Sequence, residues 1–121
     1  RESGLKCDAR GFIEVNAHLQ SVSHPFVFAA GDCASMVGRP PPKSGVYAVR
    51  AGAPLGENLL RALTQRGLAS YRPQTRALYL ISAGGQDAVG VWGPLVIDGA
   101  WVWRWKDRID RKFIRRYNPR A

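Results

Sequence analysis

The sequence predicts an α+β chain in which a buried strand, a loop and a helix come first, followed by an antiparallel β-hairpin and a basic amphipathic helix. Three observations carry this expectation: an unbroken apolar run, Pro25-Phe26-Val27-Phe28-Ala29-Ala30, that stops at Gly31-Asp32; apolar residues at helical spacing after Gly45; and two β-rich runs on either side of Gly84-Gly85. A chain of 121 residues supports one core at most. Two regions are expected within it, residues 1–66 with the strand, loop and helix, and residues 67–121 with the hairpin and terminal helix.

The first element, Phe12-Ile13-Glu14-Val15, is short and β-rich, and Gly4 and Gly11 bracket it with turn chemistry. Residues 25–32 read as a strand covered on both faces within a parallel sheet, because apolar side chains follow one another without polar alternation. The proline-rich stretch Arg39-Pro40-Pro41-Pro42 cannot enter a ladder or a helix interior, and Ser44 stands where it could cap the next helix. That helix is expected over 45–63, with Val46, Val49, Ala53, Leu60 and Leu63 as its apolar stripe and Gly52, Pro54 and Gly56 weakening its middle. Residues 67–74 form a loop. The runs 77–82 and 87–92 then make a hairpin, and 93–99 add a short third strand. From Ala100 to Tyr117 there is no Gly or Pro; Trp101, Trp103 and Trp105 alternate as in a strand, yet Val102, Trp105, Ile109 and Phe113 continue a stripe at helical spacing, which favours a helix with Trp101, Trp105, Ile109 and Phe113 on its packing side. They are expected to pack on the hairpin, and an exposed apolar face there would invite a second copy of the chain.

Charge and composition exclude several classes. Eighteen Lys and Arg against nine Asp and Glu leave a net charge of +9, concentrated after Arg104. Anionic partners are compatible with it, as is a solvated helix face that offsets acidic surface elsewhere. Nucleic-acid binding has only the charge in its favour, since no recognisable module accompanies it. Cys7 and Cys33 lack the two-residue spacing of a redox or metal pair and read as bystander thiols in a reduced compartment. His18 and His24 lack ligand spacing, so no metal is expected. No stretch approaches the roughly 18 apolar residues of a membrane span. The chain opens Arg1-Glu2-Ser3-Gly4 without Met or leader character and is expected to be a piece of a longer protein.

One constellation points to chemistry. Open α/β sheets bind ligands beyond the carboxyl ends of their strands. An aspartate there, Asp32, can accept hydrogen bonds from sugar-like hydroxyls, and Gly31 would let a bulky ligand approach the backbone. The helix start near Lys43, Ser44, Gly45 and Val46 offers free N–H groups and partial positive charge, which suit an electron-rich ring edge. The competing reading is that Gly31-Asp32 only makes a turn.

Order and spacing together favour the first reading. The segment from Leu5 to Leu59, through Gly11-Phe12-Ile13-Glu14-Val15, His24-Pro25, Val27-Phe28-Ala29-Ala30-Gly31-Asp32 and Pro42-Lys43-Ser44-Gly45-Val46-Tyr47-Ala48, resembles the second FAD-binding region of the pyridine nucleotide-disulfide oxidoreductase superfamily. Within it the chain is similar to the type II NADH dehydrogenase-like flavoproteins, including the flavoprotein domain fused to selenide, water dikinase. Leu80-Ile81-Ser82 and Trp101-Val102-Trp103-Arg104-Trp105-Lys106-Asp107 carry that finer likeness.

The resemblance implies that residues 1–66 are the end of an FAD-binding α/β domain, with Asp32 on the ribityl chain and Lys43, Ser44, Gly45 and Val46 along the isoalloxazine ring. Val46 departs from the Gln that quinone-reducing relatives often carry, and the His-Glu pair of the dithiol branch is absent. The implied parent is an FAD-dependent NAD(P)H dehydrogenase, cytoplasmic or peripheral on the inner membrane face, that passes hydride to flavin and electrons to an unidentified acceptor. Neither Gly-x-Gly-x-x-Gly fingerprint occurs in this chain, so alone it is expected to bind neither FAD nor NAD(P)H and to be inactive. Its expected partners are the upstream FAD- and NAD(P)H-binding part, a second copy, or a fused domain. A basic amphipathic helix can also lie on an anionic membrane surface, which makes docking the alternative function for the C-terminal helix.

Overall fold

The structure, a computed structural model, describes residues 3–118. It divides into two compact units, Arg1–Thr75 and Arg76–Ala121. The sequence puts the division after residue 66. Residues 67–75 lie with the first unit because their backbone is tied there: Tyr71 N–H donates to the Ala17 carbonyl at 2.8 Å, and Ala69 is bonded on both sides by Asn58.

In the first unit, the carboxylate of Asp8 accepts the backbone N–H groups of Arg10 and Phe12 at 2.9 and 3.0 Å. This closes a turn that feeds strand β1, Ile13–Val15. Burial opposes the charge on Asp8, but these hydrogen bonds, one from Ser35 and the nearby Arg10 charge outweigh it and hold the carboxyl below its ordinary value. Strand β1 pairs in parallel with β2, Ala34–Met36, in the register Ile13 with Ala34 and Val15 with Met36.

The strand expected over 25–32 does not form. Residues 24–27 make a turn closed by Val27 N–H to the His24 carbonyl at 3.0 Å, and Phe26 within it is 94% exposed. Phe28 makes a single antiparallel bridge to Gln20, and Gly31, at φ 74°, bends the chain into the 3-10 turn Gly31–Cys33. The buried parallel strand follows the Gly-Asp pair instead of preceding it, and all three of its residues are buried. The apolar run was a poor guide because half of it is spent on a proline turn.

Helix α1, Gly45–Leu63, spans the expected residues and contains Pro54. Its buried face is not the expected stripe. Tyr47, Ala51 and Asn58 are buried, whereas Val49, Leu60 and Leu63 are exposed. The core beside it comprises Val15, Leu19, Ala29, Ala34, Met36 and Ala51. Three of those six are alanine, which buries little area, so polar ties matter more than usual. The main one is Asn58, whose amide donates to the carbonyls of His18 and Ala69 at 2.8 and 2.9 Å and accepts the N–H of Ala69 at 2.8 Å. One side chain thus fixes α1 to two loops.

The second unit is an antiparallel meander, β3 (Tyr79–Gly84), β4 (Asp87–Trp92) and β5 (Leu95–Gly99), with helix α2 (Ala100–Tyr117) after it. The hairpin, third strand and terminal helix agree with expectation. In β4, Ala88 and Gly90 are the buried positions. A Cβ on Gly90 would stand 2.8 Å from the Ile97 side chain and 3.1 Å from that of Leu80, so flanking strands close over it only because it has none.

Helix α2 packs chiefly on β4. Its fully buried residue is Val102, while Trp101, Trp105, Ile109 and Phe113 keep 51%, 39%, 43% and 43% of their surface in solvent. Val102, which belongs to the expected stripe, seats the helix, whereas the larger side chains expected to pack on the hairpin stay about half in solvent. The helix surface carries the i,i+4 pairs Lys106–Asp110 and Asp107–Arg111, which solvent screens and which add little to stability.

Candidate functional site

The 3-10 turn Gly31–Cys33 and the start of α1 face each other within the first unit and bound a small, partly enclosed cleft. Leu19, Gly31, Asp32, Lys43, Ser44 and Tyr71 line it, together with small apolar residues of β2 and α1. Gly31 makes this geometry available in two ways. It adopts a left-handed φ of 74°, and a Cβ there would lie 3.2 Å from that of Ala48. The close approach it permits is therefore that of helix α1, where a ligand was expected.

Asp32 sits at the rim, exposed, and its carboxylate has no hydrogen-bond partner among the described residues. Lys43 lines the cleft, but its ammonium donates to the Ala34 carbonyl and lies 4.1 Å from the centre of the Phe12 ring. It ties the proline-rich loop to β2 through one of its three N–H donors. Ser44 occupies the N-cap position, and its carbonyl accepts the N–H groups of Tyr47 and Ala48 at 3.1 Å. Its hydroxyl does not cap the helix, contrary to expectation. That Oγ is buried without a partner, as is the Oη of Tyr71. Gly45 is exposed on the first turn of α1 and Val46 is half-buried; neither lines the cleft.

Of the six residues singled out from sequence, the structure brings Gly31, Asp32, Lys43 and Ser44 together. Tyr71 was missed, and its only sequence signal was that it is the one aromatic residue of the loop 67–74. Burial pushes the Tyr71 phenol up from its ordinary value, and the Arg50 charge works against that shift. The phenol is thus protonated at neutral pH. The arrangement offers an acceptor carboxylate, two buried hydroxyls and a helix N-terminus around apolar walls, which is binding chemistry. Both cysteines are free, and among the described residues no three His, Cys, Asp or Glu side chains cluster to hold a metal. No described helix is long and apolar enough to cross a membrane.

Residues 1–52 match the family model described as pyridine nucleotide-disulphide oxidoreductase. Gly31, Asp32, Lys43 and Ser44 fall inside that match, and Tyr71 falls outside it. The chain is also similar to ferroptosis suppressor protein 1 of Taeniopygia guttata, at 33% identity over 87 residues, and of Homo sapiens, at 35% over 80 residues. These alignments take in 72% and 66% of this chain and 22% and 20% of the relatives. The chain therefore spans about a fifth of the length of the curated relatives it matches.

Proposed function

We propose that this chain is the part of an FAD-dependent NAD(P)H oxidoreductase that closes on the flavin, in a parent of the type II NADH dehydrogenase-like kind. The observation that carries the reading is the cleft between the Gly31–Cys33 turn and the α1 start, built on residues inside the family match. The residues present fit the cofactor. Asp32 has an uncommitted carboxylate for ribityl hydroxyls, and buried Ser44 Oγ and Tyr71 Oη want partners that the chain does not give them. The positive end of α1 favours an electron-rich ring edge, and the apolar walls keep water from it. Lys43 acts on the protein, holding the loop so that Ser44 stays in the wall. When bound, the flavin supplies hydride acceptance from NAD(P)H and onward electron transfer. Alone, residues 1–121 lack the phosphate-binding loops and are inactive.

The test is the full-length parent. It purifies yellow with FAD, and Asp32→Ala weakens FAD binding about tenfold or more, the loss of a charged hydrogen bond of about 1.5–3 kcal/mol. Equal affinity in wild type and variant would refute the role of Asp32.

A second reading is favoured by α2 itself. Trp101, Trp105, Ile109 and Phe113 are half-exposed on a helix that also presents Arg104, Arg108, Lys112, Arg115 and Arg116. Such a helix suits an anionic membrane surface. Co-sedimentation of the parent with phosphatidylserine vesicles, lost in the Arg115→Glu, Arg116→Glu double variant, supports it; equal recovery with neutral vesicles sinks it.

A further inference from the structure

We propose that Tyr71 is a ligand-contacting residue of this cleft, its phenol hydrogen-bonding an oxygen of the bound flavin; the proposal rests on the flavin reading above. Tyr71 lies beyond the segment that matches the family model. Four observations place it in the site. Its backbone N–H is bonded to the Ala17 carbonyl at 2.8 Å, and the neighbouring loop backbone at Ala69 and His18 is held by Asn58, so the side chain is set on a fixed anchor. Its ring packs against the core of the first unit. It lines the same cleft as Asp32 and Ser44. Its hydroxyl is buried, yet no group of the chain bonds to it.

A tyrosine that served only as packing would be better replaced by phenylalanine, because a buried hydroxyl without a partner opposes folding. Tyrosines that keep a buried hydroxyl ordinarily have a partner for it. The only other buried, unpartnered oxygen of a residue lining this cleft, among the described residues, is Ser44 Oγ. A protonated phenol donates one hydrogen bond and accepts others, which suits a hydroxyl or carbonyl oxygen and not a cation. Flavin carries both kinds of oxygen.

The experiment compares wild type, Tyr71→Phe and Asp32→Ala in the full-length parent. Each is stripped of cofactor and titrated with FAD, and the melting temperature of the stripped protein is recorded beside it. Tyr71→Phe is expected to raise the Kd for FAD about three- to tenfold, the worth of a neutral hydrogen bond, while the stripped protein melts at the same temperature or higher. A purely structural residue would shift the melt and leave the Kd alone, and that pattern would overturn the proposal. An unchanged Kd in Tyr71→Phe beside a weakened Asp32→Ala would likewise remove Tyr71 while leaving the flavin reading intact. A parent that takes up no FAD would end both.

Discussion

Helices α1 and α2 are nearly equal in length, 19 and 18 residues, and both span the residues their sequence periodicity indicates. They are seated in opposite ways. Helix α1 turns a polar residue, Asn58, to the inside and leaves Leu60 and Leu63 in solvent, 58% and 83% exposed. Helix α2 is seated by an apolar residue, Val102, while its larger aromatic side chains stay half in water. The difference teaches that periodicity measures how far a helix runs, and that the face it buries is decided by the surface it meets. For α1 that surface is two loops with backbone groups to satisfy; for α2 it is a strand with small residues.

The largest effect that could break this comparison is expected at Asn58. Asn58→Ala removes three hydrogen bonds and leaves the carbonyls of His18 and Ala69 and the Ala69 N–H without their partner. It should destabilise the first unit by about 2–4 kcal/mol in urea unfolding. A loss below 1 kcal/mol, roughly that of one ordinary hydrogen bond, would mean that the polar clamp does not seat α1. Val102→Ala comes next, at about 1–3 kcal/mol for deleting buried methyl groups, read from the unfolding of the second unit. If its cost were no greater than that of an exposed site, α2 would be held by its aromatic side instead.

A smaller effect follows from Asp8. Its carboxyl titrates below the ordinary value in the folded chain, so the stability it lends is present above the unfolded pKa near 3.8 and is lost as pH falls through the folded value. Thermal melts of wild type and Asp8→Asn between pH 5 and 2, the interval spanned by carboxylate titration at about 4, should converge toward the acid end. Parallel curves would show that the turn before β1 does not depend on the charge. Smallest of all, Leu63→Ala and Arg115→Ala should each change stability by no more than about 0.5 kcal/mol, as exposed sites do. A large loss at Leu63, an apolar residue on the helix that Asn58 fastens, would reverse the contrast between the two faces of α1.

Sequence reading succeeded where the signal is local. Short-range spacing marked both helices and glycine turns marked the meander, although α1 runs on through Gly52, Pro54 and Gly56. It failed where the deciding partner is distant in sequence. Asn58 is explained only by His18, forty residues away, and Ala69. The apolar run at 25–32 has strand composition, yet the turn at 24–27 and the left-handed Gly31 deny it a strand. The cleft was legible in part. Asp32 and Ser44 stood out by motif, whereas Tyr71 enters through a loop whose anchoring on Ala17 and Asn58 no spacing rule reveals.

Pro54 gives α1 a mechanical character that its hydrogen bonds alone would not. A proline inside a helix has no N–H to offer, so the carbonyl of Arg50, four residues earlier, is left without its usual partner. Gly52 and Gly56 flank the seam and add little stiffness to it. The helix is thus a rod with a joint near its midpoint. Beyond the joint, Asn58 pins the second half to the loops; before it, the half that carries Ser44, Tyr47 and Ala48 forms the cleft wall. The cleft wall and the Asn58 clamp therefore lie on opposite sides of the missing hydrogen bond.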